Sequence, residues 1–334
     1  MAHSLDPHQY TLKKTVSCCG VGLHSGNTVN LTIKPASENS GIRFFRTDII
    51  GKGFIPAHMD NVVDTRLATT IGVEGMLVST TEHLMAALQS YGVDNADIEI
   101  DAAEVPIMDG SAGPFMLLLK RAGLKKQNAM RKVLRITKEI VFKSGESEIK
   151  ITPYEGFKIS GKIHFDDTLI KKQSYTLDLS SKNFLEEIAQ ARTFGYVEQV
   201  EELWANGLAL GGTLDNVIAI HWDRNSILNE GGLRFSDEFI RHKVLDLIGD
   251  LALIGCPILG HVIASRSGHT QHLGFMKALA QASDCWEIIE MKRNGGHSVF
   301  QQVASSTKAV GDRLIPFFTS PAITTPNRVA QASC

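Results

Sequence analysis

Three ionisable side chains recur at four-residue intervals in RHKVLDLIGDLALIG, residues 241–255, a run that otherwise reads as buried helix. On a helix, His242, Asp246 and Asp250 point to about 0°, 40° and 80° around the axis, and the apolar side chains lie between about 120° and 300°. The helix therefore has a broad apolar side and a narrow charged seam that includes Gly249. Such stripes usually face water. A solvated stripe is typically rich in Lys and Glu, however, so the spacing leaves a solvated stripe and a functional site both open.

The seam has the side-chain types of a metal site. Zinc prefers imidazole nitrogen and carboxylate oxygen, and a catalytic zinc needs three protein ligands and an open fourth position. His242 and Asp246 lie one helical turn apart, with Cβ atoms about 5–6 Å apart, which suits binding of one ion from a single helix. A third ligand must come from elsewhere, and His83 in TTEHLMAAL (80–88) is the best candidate.

Glu82 directly precedes His83. Adjacent helical residues point about 100° apart, so one can bind a metal while the other approaches the attacking water from the side as a general base. The plainer alternative is that Glu82 favours the helix N-terminus through the helix dipole and His83 only packs. Taken alone, these two residues favour the plainer alternative.

His269 in SRSGHTQHL follows a predicted strand and begins a predicted helix. The positive helix end would lower its pKa, whereas a carboxylate partner would raise it. Asp250, at the far end of the seam, could be that partner and would keep the imidazole protonated to assist a leaving amine. His221, His261 and His272 are expected to be structural or exposed.

The composition predicts a soluble, cytoplasmic protein. The 334 residues suggest two domains of ordinary size, and 43% of them are hydrophobic, which is ample for real cores. The net charge of −2 lacks the basic excess of a general nucleic-acid binder. The five scattered cysteines form no CxxC pair, which is typical of reduced thiols. We expect no signal peptide in MAHSLDPHQY and no membrane span in 244–260.

Turn and capping residues define the elements of the first half. A helix is predicted over 80–92, beginning near Thr80 or Thr81, and another is predicted between Ser111 and Gly123. Strands are predicted at 28–33, 41–45 and 96–100, with a glycine-rich turn at 20–26.

The second half begins again with strands after the polar stretch 125–132, which we interpret as the domain boundary. The seam helix is expected to begin at Ser236 or Asp237, and a later helix to run from about Thr270 to Glu290. Strands are predicted at 132–143, 147–154, 157–165, 213–220 and 258–265, and short helices at 183–192 and 197–207.

We therefore predict an α+β fold of two similarly built domains, each a β-sheet layered with helices. The first domain is assigned to residues 1–127 and the second to 128–292, with an insert near 194–212. Residues 293–334 are predicted to be a C-terminal extension that is partly mobile, because their periodicity is sparse.

Five motifs, in order along the chain, resemble the UDP-3-O-acyl-N-acetylglucosamine deacetylase family from about residue 10 to 290. Members of this family are zinc amidases that perform the committed step of lipid A synthesis in Gram-negative bacteria. The motifs are TTEHLMAAL (80–88), IMDGSAGPF (107–115), ARTFGY (191–196), LNEGGLRFSDEFIRHKVLDLIGDL (228–251) and SGH (267–269).

The resemblance implies a role in metal binding or catalysis for each of the six site candidates considered above. Glu82 would be the base that activates the attacking water. His269, supported by Asp250, would stabilise the tetrahedral intermediate and protonate the leaving nitrogen. One zinc ion would be held by His83, His242 and Asp246.

The resemblance implies that four further residues contact the substrate. Thr193 would donate its hydroxyl to the acetamide oxygen, an oxyanion-stabilising role. Lys243 would reach the pyrophosphate as a point charge. Phe194 and Tyr196 would border the nucleotide and acyl path, although the family more often has Phe where Tyr196 stands.

The resemblance also implies an active site at the junction of two α+β domains. The insert 194–212 would form an apolar passage for the 3-O-acyl chain, although its apolar stripe is also typical of any small packed helix. Ferrous iron suits the same ligands as zinc. We expect a monomer that binds a small-molecule substrate and no nucleic acid, with at most transient contact with a membrane surface.

Two other functions compete with a zinc deacetylase. A non-catalytic sugar-nucleotide-binding protein would keep the fold, but a decayed site usually loses at least one residue of such a set. A zinc peptidase is disfavoured because the chain contains no HExxH stretch.

Overall fold

The computed structural model describes residues 6–294 and 297–302. Its first half contains a five-stranded sheet in the order β2-β3-β9-β4-β5, in which β4 and β9 are parallel. A smaller sheet of β6, β7 and β8 precedes helix α1. The elements are β1 (His8–Leu12), β2 (Val16–Val21), β3 (Thr28–Pro35), β4 (Ile42–Arg46), β5 (Ile55–Pro56), β6 (Val62–Asp64), β7 (Thr70–Val73), β8 (Met76–Val78), α1 (Glu82–Tyr91), β9 (Ala96–Ile100) and α2 (Gly113–Ala122).

The second half contains an eight-stranded sheet whose central strand, β18, pairs with β11, β13 and β14. Helices α5 and α6 pack against strands of this sheet. The elements are β10 (Leu124–Met130), β11 (Lys132–Ile136), β12 (Ile140–Ser144), β13 (Ser147–Thr152), β14 (Phe157–His164), β15 (Lys172–Asp178), α3 (Ser181–Asn183), β16 (Phe194–Tyr196), α4 (Val200–Ala205), β17 (Ile218–Ile220), α5 (Glu238–Leu251), β18 (Ile258–Ser265), α6 (His269–Gln281), β19 (Trp286–Asn294) and β20 (His297–Gln302).

The predicted α+β fold, with helices layered on sheets in each half, is confirmed. Helices α1 and α5 pack against each other and join the halves, and one large hydrophobic core contains residues of both. The domain division at 127/128 stays a proposal. Residues on both sides of it belong to β10, which pairs antiparallel with β1.

Several elements differ from the sequence predictions. The polar stretch 125–132, for which no element was predicted, is mostly strand β10, because its backbone pairs with β1 and needs no apolar face. The helix predicted to reach Glu290 ends at Gln281, and β19 then pairs antiparallel with β11 and buries Ile289 and Met291 on one face. The strand predicted at 213–220 forms only over Ile218–Ile220.

The helices begin and end close to the predicted residues, but the predicted capping hydrogen bond of Thr81 is not formed. Helix α1 begins directly after Thr81, whose hydroxyl donates to the Thr69 carbonyl rather than capping the helix. Gly92 and Gly123 end α1 and α2 as predicted. Of the extension 293–334, β20 pairs antiparallel with β19, and the expected mobility of 303–334 lies outside the described residues.

The charged seam of α5 faces α1 and is buried, so the solvated-stripe alternative is wrong. Gly249 permits this approach of two helices. A Cβ atom at Gly249 would lie 1.9 Å from the Glu82 carbonyl oxygen, a backbone atom that no side-chain rotation can move. The missing side chain therefore lets the N-terminus of α1 lie against the seam.

Gly249→Ala is expected to destabilise the protein by about 3 kcal/mol, because α1 must move to relieve the clash. Helix propensity alone predicts the opposite sign, since alanine is about 1 kcal/mol better than glycine inside a helix. Chemical denaturation measures the free energy of unfolding. Gly231→Ala is the control, because no described heavy atom lies within 4 Å of its added Cβ. A Gly249→Ala protein as stable as the parent would contradict the packing argument.

Candidate active site

Three buried side chains from the two halves meet between α1 and α5. His83 comes from the first turn of α1, and His242 and Asp246 come from successive turns of α5. One potential ligand atom from each lies within 4.8 Å of the others. The Nε2 atoms of His83 and His242 lie 3.5 and 3.4 Å from Oδ1 of Asp246. The sequence-predicted ligand set is therefore brought together in space.

The cluster has the polarity of a metal site rather than of a hydrogen-bonded one. Oδ1 of Asp246 is buried and has no hydrogen-bond partner among residues 6–294 and 297–302. Nδ1 of His242 lies 3.1 Å from the Ala191 carbonyl, which can only accept, so this nitrogen donates and Nε2 carries a free lone pair toward the cluster. Burial lowers the pKa of His242 to about 3, which keeps the imidazole neutral as a ligand must be. These donors fit a divalent ion.

Lys243 orients the carboxylate of Asp246. Its Nζ donates to Oδ2 of Asp246 at 2.9 Å, which leaves Oδ1 toward the two imidazoles. Burial would raise the pKa of Asp246, but the cationic Lys243, which donates a hydrogen bond to it, holds that pKa well below its usual range. The carboxylate is therefore anionic and fixed in orientation.

Glu82 lies beside the cluster and is itself buried. Its Oε2 accepts a hydrogen bond from the Thr69 backbone N–H at 3.1 Å, and its Oε1 lies 3.9 Å from Nε2 of His269. Burial raises the pKa of Glu82 above its usual value. A carboxylate with a raised pKa beside a metal site is typical of a general base.

Asp250 and His269 form the ion pair that the sequence suggested. Nδ1 of His269 lies 2.7 Å from Oδ2 of Asp250, and the Thr69 hydroxyl donates to Oδ1 at 2.6 Å. Burial would lower the pKa of His269, but the charge and hydrogen bond of Asp250 raise it to about 9. The carboxylate therefore outweighs both burial and the helix N-terminus, and His269 is a cation at neutral pH.

His272 was expected to be structural or exposed, but it contacts this ion pair. It is buried, and its Nδ1 lies 2.6 Å from the same Oδ2 of Asp250. The HTQH spacing was a usable signal, because residues three apart on a helix are neighbours on one face.

The ARTFGY segment runs along the edge of the cluster. Thr193 is bound through its backbone, donating to the Gly110 carbonyl at 2.8 Å. The centroids of the Phe194 and His242 rings lie 6.2 Å apart. Nζ of Lys243 lies 5.4 Å from the centroid of the Phe194 ring. Phe194 and Lys243 therefore lie beside the cluster of His83, His242 and Asp246.

Two polar contacts that the sequence did not predict hold the ARTFGY segment in place. The Tyr196 hydroxyl donates to Oδ2 of Asp167 at 2.6 Å. Arg192 and Glu238 form a buried ion pair with Nε and Oε1 2.9 Å apart. Neither pair had a local sequence signal, since the partners are 29 and 46 positions apart.

A cavity of about 340 Å³ opens beside Lys243. Arg266 lines it and pairs with Glu146, and Phe165 and His164 line it as well. Two cationic side chains and an aromatic ring therefore line this space together with the carboxylates of Glu146 and Asp166. Sequence reasoning reached Lys243 and the SGH motif, which supplies Ser267 and Gly268. It missed the lining residues on β14, in the loop after β14 and in the turn between β12 and β13.

A buried cluster of two imidazoles and a carboxylate, with a second carboxylate and a cationic imidazole beside it, defines this α+β protein as a metal-dependent hydrolase. Comparison with known proteins identifies the family. The chain belongs to the UDP-3-O-acyl N-acetylglycosamine deacetylase family (LpxC), which it matches over residues 9–281.

Curated relatives named UDP-3-O-acyl-N-acetylglucosamine deacetylase are similar over nearly their full length. The protein of Syntrophus aciditrophicus is 49% identical over 278 residues, which cover 83% of this chain and 88% of that protein. The protein of Teredinibacter turnerae is 47% identical, covering 84% of this chain and 93% of its own. The protein of Hahella chejuensis is 44% identical over 86% of this chain and 95% of that protein. The resemblance found in the five motifs is confirmed.

Within the described residues, the structure contains no helix with the length and apolar character needed to cross a membrane. This agrees with the expectation for residues 244–260, where Asp246 and Asp250 are buried in the site.

Proposed function

We propose that this protein hydrolyses the N-acetyl group of UDP-3-O-acyl-N-acetylglucosamine, giving UDP-3-O-acyl-glucosamine and acetate, the committed step of lipid A biosynthesis. The observation that carries the proposal is the buried cluster of His83, His242 and Asp246, complete and bordered by Glu82 and His269, in a chain of this family.

His83, His242 and Asp246 would hold one zinc ion, and ferrous iron suits the same ligands. When bound, the ion acts as a Lewis acid toward the acetamide carbonyl and the attacking water. Asp246 would contribute Oδ1, because Lys243 occupies Oδ2. His242 would contribute Nε2, because Nδ1 is bound to the Ala191 carbonyl.

Glu82 takes the proton from the attacking water. Its Oε2 is held by the Thr69 N–H, which leaves Oε1 to accept the proton. Burial raises the pKa of this carboxyl, so it is a stronger base than an exposed glutamate.

His269 gives its proton to the leaving glucosamine nitrogen. Nδ1 is held by Asp250, which leaves the Nε2–H as the donor toward the substrate. Thr193 would donate its hydroxyl to the acetamide oxygen, where negative charge develops in the transition state.

The nucleotide would enter the cavity beside Lys243. The diphosphate would meet Lys243 and Arg266, and an aromatic ring, Phe165, lines the same space. Phe194 and Tyr196, at the base of the insert 194–212, would border the path from this cavity to the acyl passage.

We also propose that the protein acts as a cytoplasmic monomer that contacts a membrane surface transiently to collect its acylated substrate. Large apolar side chains on and near the insert support this contact, since each is about half exposed. They are Trp204 (54%), Leu210 (52%), Leu214 (49%) and Trp222 (60%).

The reaction is tested by acetate release from the acylated sugar nucleotide, with metal content measured on the same sample. We expect one ion per chain, loss of activity on chelation and recovery on adding zinc. The matched control is the same sugar nucleotide without the 3-O-acyl chain, which should react more slowly if the insert binds that chain. A metal-loaded protein that binds the acylated substrate without releasing acetate would support a non-catalytic binding protein instead.

A further inference from the structure

We propose that His272 is a positioning residue of this reaction: it binds part of the Asp250 carboxylate and so limits how firmly that carboxylate holds the proton on His269. The inference rests on the proposed role of His269 as the acid that protonates the leaving nitrogen. It adds a second histidine that never touches the substrate.

One oxygen of Asp250 serves two imidazoles. Its Oδ2 lies 2.7 Å from Nδ1 of His269 and 2.6 Å from Nδ1 of His272. Its Oδ1 accepts from the Thr69 hydroxyl at 2.6 Å. All four side chains are buried. Asp250 therefore has three donors, and its burial separates them from bulk water.

His272 is a neutral donor with a defined tautomer. Its Nε2 lies 3.0 Å from the Ser267 hydroxyl, which can donate to it, so the ring proton remains on Nδ1 toward Asp250. Burial lowers the pKa of His272, which keeps the ring uncharged. A second imidazolium on the same carboxylate would leave an unbalanced buried charge.

The groups that face His269 come from two neighbouring helices and its own. Glu82 on α1 lies 3.9 Å from its Nε2, Asp250 and the more distant Asp246 lie on α5, and His272 lies one turn along α6. A hydrogen bond donated to a carboxylate stabilises its charge and weakens its attraction for a further proton donor. His272 therefore reduces the hold of Asp250 on the His269 proton.

Because Asp250 holds the proton less firmly, His269 is a stronger acid. His269 must be protonated to act, so activity falls as the pH rises through its pKa, which lies at about 9. Without the His272 donor, Asp250 would hold the His269 proton more firmly, and this alkaline limb would move to higher pH. From the usual net strength of one hydrogen bond, the move is about 0.5–1 pH unit.

The test compares a non-donor and a donor at this position in the metal-loaded, full-length protein. His272→Leu removes the donor at similar volume, and we expect the alkaline limb of kcat/KM to rise by about 0.5–1 pH unit. His272→Asn places an amide nitrogen where Nδ1 stood, and we expect it to restore the parent limb. NMR titration of the ¹⁵N-labelled imidazole of His269 should show the same two results. His261→Leu is the control, because its Nε2 binds Ser160 at 2.9 Å without contacting Asp250.

Equal titration of His269 in the parent and His272→Leu would overturn the proposal. So would an equal shift in the Leu and Asn variants, since that would report lost packing rather than a lost donor. His272→Phe, which keeps a ring without a donor, replaces the Leu variant should the latter not fold. The NMR titration needs no substrate, so a shift in a protein that releases no acetate would refute the proposed reaction and support the role of His272.

Discussion

Replacing Glu82 by alanine is expected to lower kcat by about 10²–10⁴-fold while the protein keeps its metal ion. The carboxylate lies beside the ligand cluster but is not part of it, so its loss removes the proton acceptor and no ligand. Acetate release measures the first effect, and metal analysis of the same sample measures the second.

Glu82→Gln is the matched control for packing. The glutamine side chain has the same shape and can still accept the Thr69 N–H hydrogen bond, but it cannot take a proton from water. We expect the Gln variant to be as inactive as the Ala variant. Near-parental activity in either one would assign the base to another residue, even though the family membership would stand.

His242→Ala is expected to lose the metal ion itself. Removal of a supporting hydrogen-bond partner of a metal ligand already costs about 10–100-fold in metal affinity, so loss of a ligand should cost more than about 100-fold. The reason is local: His83 and Asp246 remain, but two ligands do not make a catalytic zinc site. Metal titration with a competing chelator gives the affinity, and turnover should fall in parallel.

His272→Asn is the control for this loss, because it also alters a buried histidine of the site but not one of the three ligands. It should bind metal like the parent. If His242→Ala bound zinc with parental affinity, the ion would have to sit elsewhere, and the roles of Glu82 and His269 would lose their basis.

Local periodicity predicted most elements that position the site. The seam of α5 followed from the four-residue spacing of His242, Asp246 and Asp250, and the ends of α1 and α2 followed from Gly92 and Gly123. The errors arose where pairing with a distant segment decides the structure. Polar β10 is a strand only because β1 lies beside it, and β19 is a strand only because β11 does.

The same distinction holds within the site. The resemblance indicated the proposed ligands, and the order of Glu82 and His83 suggested a base beside one of them. The HTQH spacing places His272 beside His269 on one helix face, but only the packing of α6 against α5 decided that one oxygen of Asp250 binds both imidazoles. The Tyr196 contact with Asp167 was likewise not predicted, because it joins strand β16 to the distant loop between β14 and β15.

The sequence by itself determined the chemistry available to this protein: the residue types, their order on each helix, and the family to which their motifs belong. Only the tertiary structure decided that the seam is buried and that α1 can lie against it. The physical reason is the close approach at Gly249, where any side chain would meet the backbone of Glu82. Helical spacing depends on neighbours a few residues apart, whereas this contact joins residues far apart in the chain and exists only once both halves have packed.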